Sequence, residues 1–215
     1  MKNIYDITDE FEAQVAAYTG AKYAVAVDNA SNALFLSLFY EGIKGRDVYI
    51  PNRTYPSVPC EIIHAGGRVC WDMVDGDSIT GAYRLRNTRT VDAALRFTAD
   101  MYEAGTFTCL SFTGPYKTFK LSKGGMILTD DYDAYLWFRR ARYSGRRACS
   151  YHEDNFDMLG WNFYMMPEIA ARGVLMMPQF YNPDGSKKVI PDITMRYPDL
   201  SKYKIYESTC IPGRD

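Results

Sequence analysis

The sequence predicts an α/β domain: three layers, with a mostly parallel sheet and helices on both faces. Two observations carry this. Short apolar runs alternate with amphipathic stretches along the first 75 residues, the pattern of strands returning through helices. And 47% of the 215 residues are hydrophobic against 24% charged, enough to bury a full core and too apolar for a disordered chain.

The elements follow in order. Thr8 to Tyr18 has helical spacing, with Thr8 or Asp9 to cap it, Phe11, Val15 and Tyr18 on one face and Gly20 to end it. Lys22 to Val27 is a strand, and Asp28-Asn29-Ala30-Ser31 opens a helix with Leu34, Leu38 and Phe39 on its buried side. Val48 to Pro51 is a strand, Ser57 to Ala65 a helix, and Arg68 to Met73 a strand. The arginine-rich Thr80 to Thr90 fits an edge strand or a loop. Thr90 to Ala94, Phe107 to Phe112 and Gly125 to Thr129 are short strands. Asp131 to Tyr143 is a helix with Tyr135, Phe138 and Arg142 along one side, and Glu168 to Met176 is another. From Tyr181 onward proline and polar residues dominate, so the division is an α/β domain over 1–180 and an irregular tail over 181–215 that packs on it.

Composition excludes several classes. A net charge of -1 with interleaved signs gives no footprint for nucleic acid. No apolar run approaches a membrane span, and the N-terminus lacks a basic stretch followed by an apolar one. The five cysteines, Cys60, Cys70, Cys109, Cys149 and Cys210, include no pair at metal-ligand spacing, and with only His64 and His152 a histidine-based metal site is not expected. Reduced cysteines in a cytoplasmic protein fit that count. The 18 tyrosines suit cofactor walls and subunit interfaces.

The chemistry starts from Lys117. It stands in Ser111-Phe-Thr-Gly-Pro-Tyr-Lys-Thr-Phe-Lys-Leu-Ser-Lys-Gly-Gly125, a loop between two apolar runs, where a lysine is not placed for solubility. Upstream, Asp92 closes the run Val91-Asp92-Ala93-Ala94. A lysine in a loop and a carboxylate at a neighbouring strand end are the two protein groups pyridoxal 5'-phosphate needs. The lysine forms the Schiff base, and the carboxylate keeps the pyridine nitrogen protonated so that the ring can accept electrons. Taken singly, each feature has an ordinary reading: Ser31 as an N-cap, Asp92 as a turn residue, Lys117 as a surface lysine, Tyr55 as core.

The order of these features resembles the DegT/DnrJ/StrS group, sugar aminotransferases among the fold-type I enzymes that use pyridoxal phosphate, over about Phe11 to Leu175. Phe11 to Val27 is similar to the family's opening helix and strand. Asp28-Asn-Ala-Ser-Asn-Ala-Leu34 stands where the family has its small phosphate turn, which implies phosphate contacts at Ala30 and Ser31. Pro51-Asn-Arg-Thr-Tyr55 resembles the segment whose aromatic residue stacks on the pyridine ring, hence Tyr55. Val91-Asp-Ala-Ala94 resembles the family's Glu-Asp-Ala-Ala strand end, hence Asp92 at the ring nitrogen. Counted back from Gly124-Gly125, Lys117 falls on the Schiff-base position; Lys120 is the second candidate, with a poorer spacing. Ser111 or Thr113 would help hold the phosphate. Leu159-Gly-Trp-Asn162 resembles the segment whose asparagine reaches the phosphate of the neighbouring subunit, which implies that role for Asn162 and a homodimer. Arg140 to Gly145 resembles a further family stretch.

What the resemblance implies is transfer of an amino group from an amino-acid donor, usually glutamate, to a keto-sugar nucleotide, as part of nucleotide-sugar biosynthesis. The alternative is a degenerate relative that binds the cofactor, or none, in a regulatory or structural role. The departures are definite. Ala30 replaces the glycine of the phosphate turn, which requires a negative φ there. Leu95 stands where the family has Gln or His, and Tyr164 where it has arginine. The loop between Ser111 and Lys117 is one residue longer. The segment from Asp75 to Asp92 is short where the family has a further strand and helix, and the C-terminal small domain is largely absent after Gln179.

Overall fold

Strands and helices alternate through the first half of the chain in the computed structural model, which describes residues 6–206. Helix α1 (Asp6–Thr19) leads into β1 (Tyr23–Val27), α2 (Ala30–Tyr40), β2 (Asp47–Pro51), α3 (Ser57–His64) and β3 (Arg68–Asp72). Short strands β4 (Ser78–Thr80), β5 (Tyr83–Arg84) and β6 (Thr90–Asp92) precede β7 (Phe107–Ser111) and β8 (Gly125–Thr129). Helices α4 (Tyr132–Ala141) and α5 (Pro167–Met176) follow, then strand β9 (Thr194–Arg196). Asn29 caps α2 by accepting the Asn32 N–H, and Asp131 caps α4 by accepting that of Ala134, so both helices start where a short polar side chain can satisfy an orphan donor.

The main sheet has the order β1-β8-β7-β6-β5, and β2 pairs with β3 beside it, tied by a bridge from Tyr49 to Arg86 just after β5. Here the expectation of a mostly parallel sheet needs refinement. β1, β6 and β7 share one direction and β2 runs parallel to β3, but β8 and β5 run against their neighbours, so the sheet is mixed. The cause is the connections. β8 returns from β7 through a loop without a helix, and β5 reaches β6 through a tight turn; neither can carry the chain across the sheet as a crossover helix does.

The layers are as expected. Along β1, Val25 and Val27 join a core with Leu34, Leu36 and Leu38 of α2, Ile62 of α3 and Phe138 of α4. The alternate residues Ala24 and Ala26 join a second core with Phe11 and Val15 of α1, Leu110, Met126 and Ala170 of α5. Period-two alternation thus divides two buried faces rather than core from solvent. Gly173 lets α5 close on α1: a Cβ there would sit 2.5 Å from the Phe11 ring.

Phe39, expected inside, is 47% exposed, and its ring packs edge-on against Trp161 at 4.9 Å. The helical period assigned it to the buried stripe; the surface aromatic cluster around it holds it instead. The uncertain Thr80 to Thr90 contains β5, the edge strand of the main sheet. Within the C-terminal segment β9 pairs with β4, and Leu200 is buried, its N–H donating to Asn52 O at 2.7 Å. Residues 207–215 of that segment, with Cys210, lie outside the described residues.

Candidate active site

A cavity of about 190 Å³ opens where the start of α2, the end of β6 and the loop after β7 converge. Ala30, Ser31, Tyr55, Asp92, Ser111 and Lys117, six residues singled out in the sequence, all line it. Asn162 does not; it is exposed, on a bridge to Tyr143. Lys120 is also exposed and lies outside the cavity. Thr113 joins the lining, so both phosphate candidates, Ser111 at the end of β7 and Thr113 just after it, are present.

The lysine loop is held by its own apolar residues. Phe119 and Leu121 are buried at 1% and 0% exposure among Phe11, Phe97 and Phe112, and the Leu121 N–H donates to Phe112 O at 3.0 Å. Lys117 is thereby turned inward, and its Nζ donates to Ala94 O at 2.6 Å. Burial lowers its pKa from the ordinary lysine value of 10.5, and the Asp92 charge partly offsets that. Where the loop rejoins the sheet, only glycine fits at 125: a Cβ would lie 2.5 Å from the Asn29 carbonyl carbon and 2.6 Å from Ala30 N. This contact sets the start of α2 directly over β8.

At that end of the cavity the Ser31 and Ser57 hydroxyls lie 2.7 Å apart. Ala30 is the first residue of α2 and is not among the residues with positive φ, so the loss of the family's glycine costs no strain. A helix N-terminus ringed by the hydroxyls of Ser31, Ser57, Ser111 and Thr113 is a donor set suited to a phosphate.

Asp92, also in the lining, is 5% exposed. Its Oδ1 accepts the Ala94 N–H at 2.9 Å and its Oδ2 accepts the Tyr83 hydroxyl at 3.0 Å. Burial raises its pKa; the Ala94 N–H, the Tyr83 hydroxyl and Lys117 pull it back. Tyr55 is 56% exposed at the rim, with the Tyr197 ring edge-on to it at 6.4 Å. The Tyr197 phenol is pushed up to about 12 by burial, with Asp92 and Tyr55 adding to it, so it stays a proton donor at neutral pH.

The sequence reading missed Tyr83, Tyr197 and Ser57. Ser57 could have been found as a hydroxyl at the start of α3, two residues beyond Tyr55. Tyr83 and Tyr197 carry no local signal beyond the abundance of tyrosine. Leu95, at the family's Gln or His position, is 6% exposed, and its carbonyl accepts the Ile193 N–H at 2.9 Å; it anchors the C-terminal segment.

The fold is an α/β architecture of the kind seen in solved aminotransferases. Residues 1–87 match the model of the DegT/DnrJ/EryC1/StrS aminotransferase family, the family the sequence resembles. GDP-perosamine synthase of Escherichia coli O157:H7 is 25% identical over 86% of this chain and 61% of its own. The spore coat polysaccharide biosynthesis protein SpsC of Bacillus subtilis (strain 168) is 38% identical over 33% of this chain and 18% of its own. The crystal structure of a putative PLP-dependent aminotransferase from Bacillus cereus ATCC 10987 superposes with a TM-score of 0.68 at 19% identity, over 82% of this chain and 59% of that one, which establishes the shared fold. The chain spans less than two thirds of the length of these relatives.

Proposed function

We propose that the chain is a pyridoxal-phosphate-dependent aminotransferase that moves an amino group from an amino-acid donor, glutamate in the first instance, to a keto-sugar nucleotide. The observation that carries this is the convergence of Lys117, Asp92 and the hydroxyl-ringed start of α2 on one cavity. That donor set fits the cofactor: an amine, a buried carboxylate and a phosphate cradle, at separate parts of one pocket. The likeness to GDP-perosamine synthase supports a sugar substrate.

When bound, pyridoxal phosphate supplies an electron sink that lets an amino group pass between carbon skeletons. Asp92 would hold the proton on the ring nitrogen through a charge-assisted hydrogen bond. Tyr55 would cover one face of the ring, and Ala30, Ser31 and Ser111 would fix the phosphate. The Lys117 amine, its pKa lowered by burial, would first hold the cofactor and, once released, move a proton at its Nζ as general acid and base.

The assembly belongs to the same proposal. A homodimer would bring Asn162 to the phosphate of the neighbouring chain. Its exposure supports this, as do Phe156, Leu159 and Met166, which are 61%, 91% and 58% exposed around it. A reducing, cytoplasmic setting is supported by the free state of Cys60, Cys70, Cys109 and Cys149. Among the described residues, no helix is long and apolar enough to cross a membrane.

The test is reduction with borohydride after incubation with pyridoxal phosphate, followed by peptide mapping. Label is expected on Lys117. Label on Lys120, or on no lysine, refutes the assignment. Glutamate should discharge the visible absorbance of the loaded protein, and a keto-sugar nucleotide should restore it.

A further inference from the structure

Asp92 does not stand alone at the cavity wall. Tyr83, on β5, pairs with Asp92 across the antiparallel ladder, which puts the two side chains on one face of the sheet. The Tyr83 hydroxyl donates to Asp92 Oδ2 at 3.0 Å, and Thr54 Oγ1 lies 2.5 Å from the same hydroxyl. A hydroxyl has one proton. Since that of Tyr83 goes to the carboxylate, Thr54 donates to Tyr83, and the chain of bonds runs Thr54 to Tyr83 to Asp92. The other carboxylate oxygen is taken by the Ala94 N–H at 2.9 Å. Each oxygen of Asp92 is thus held by one protein donor.

We propose that Tyr83 is a positioning residue for Asp92: its hydroxyl, held by Thr54, keeps the carboxylate oriented and charged at the wall of the pocket. This rests on the reading of that pocket as a pyridoxal phosphate site. The physical need is plain. A carboxylate at 5% exposure loses its hydration and would take up a proton unless donors replace the water. A protonated Asp92 could not stabilise a protonated ring nitrogen. The Tyr83 phenol suits the task because its own pKa is raised well above 10, by burial first and then by Asp92, so it does not surrender its proton. Tyr83 belongs to the short edge strand that occupies the compressed stretch between Asp75 and Asp92, so this chain draws on a local element where the resemblance predicts a longer insertion.

The titratable groups around Asp92 are Tyr83 on β5, Lys117 in the loop after β7, Tyr197 in the C-terminal segment and Cys109, its register partner on β7. Lys117 is the one basic side chain among them, and Tyr83 is the side chain that donates directly to the carboxylate.

The experiment is a carbon-13 NMR titration of the Asp92 carboxyl in the full chain without cofactor, with Asp92→Asn to identify the signal. Tyr83→Phe should raise the Asp92 pKa by roughly one to two units, the size expected for losing one hydrogen bond to a charged group. Thr54→Val should raise it by less, through the weakened donor, and serves if Tyr83→Phe does not fold. An unchanged Asp92 titration in the variants that fold overturns the proposal. The second arm is affinity for pyridoxal phosphate and for its analogue with carbon in place of the ring nitrogen. Tyr83→Phe should lose about tenfold for the cofactor, the equivalent of one pKa unit, and little for the analogue. A wild-type chain that binds neither would remove the cofactor reading and leave the titration to decide the role of Tyr83.

Discussion

Glu12 and Arg142 form an ion pair inside the protein, and breaking it from one side should be among the most damaging single changes available. They are 4% and 8% exposed. Arg142 Nη1 donates to Glu12 Oε1 and to the carbonyl of Ala26, the latter at 2.6 Å; the Ala26 N–H donates to the same Glu12 oxygen at 2.8 Å. β1 is an edge strand of the main sheet, and its outer side, where the N–H and C=O of Ala26 point, meets only the short bridge from Val27 to Tyr164. The pair satisfies both and joins α1 to the end of α4 across that edge. Glu12→Gln keeps an acceptor for Ala26 and removes only the charge, leaving the Arg142 guanidinium buried without its counterion. The cost of an uncompensated buried charge is about 3–5 kcal/mol. For a domain near 200 residues, each kcal/mol shifts Tm by about 2–4 °C, so the expected fall is roughly 6–20 °C. Arg142→Met should cost less, because Glu12 keeps Arg139 Nη1 at 3.9 Å as a second cation, and the double variant should cost clearly less than the sum, because removing Arg142 removes the orphan that Glu12→Gln creates. Urea unfolding with linear extrapolation, run as a double-mutant cycle, measures this. A loss below about 1 kcal/mol in Glu12→Gln, or strict additivity, refutes the reasoning.

The remaining predictions concern the site. Gly125→Ala puts a methyl against the Asn29 and Ala30 backbone, so it should cost about 1–3 kcal/mol and weaken pyridoxal phosphate binding by displacing the start of α2; an unchanged urea midpoint would refute it. Lys117 should react with acylating reagents at lower pH than an ordinary lysine, since burial lowers its pKa. Because the Asp92 charge raises that pKa, Asp92→Asn should move the onset of acylation lower still; an unchanged onset would show that the two groups do not interact.

How much of the site was legible depended on how local its signals are. Ala30 and Ser31 follow a strand and open a helix, Asp92 ends a strand, and Lys117 sits between two apolar runs; each signal lies within a few residues of the side chain it marks. The two-faced sheet was legible for the same reason, since apolar runs without polar alternation mean burial on both sides. The direction of β8 was not, because it depends on whether the loop over 112–124 folds into a crossover helix. Phe39 was misplaced because periodicity tells which residues share a face and not what covers it. Tyr83 reaches Asp92 only through the pairing of β5 with β6, in a stretch whose arginines obscure the alternation. Tyr197 lies 105 positions beyond Asp92, and nothing near it announces a pocket.

Tyr197 also shows what the C-terminal segment does. The segment is fastened at successive points: Asp192 takes a paired contact from Arg96, the Ile193 N–H reaches Leu95 O, Thr194 to Arg196 pair with β4, and the Tyr197 carbonyl accepts Arg53 Nη1 at 3.0 Å. Arg96 and Leu95 directly follow the Asp92-Ala93-Ala94 strand end, and Arg53 directly precedes Thr54 and Tyr55. The anchors of the segment are therefore chain neighbours of the residues that line the cavity, and a displacement of one is felt by the other. The substitution of Leu95 for a polar family residue fits this arrangement: at 6% exposure its side chain is core, and its backbone holds the segment that carries Tyr197 to the pocket. Tyr197 thereby brings a polar group to the cavity from the C-terminal segment, with a hydroxyl that keeps its proton.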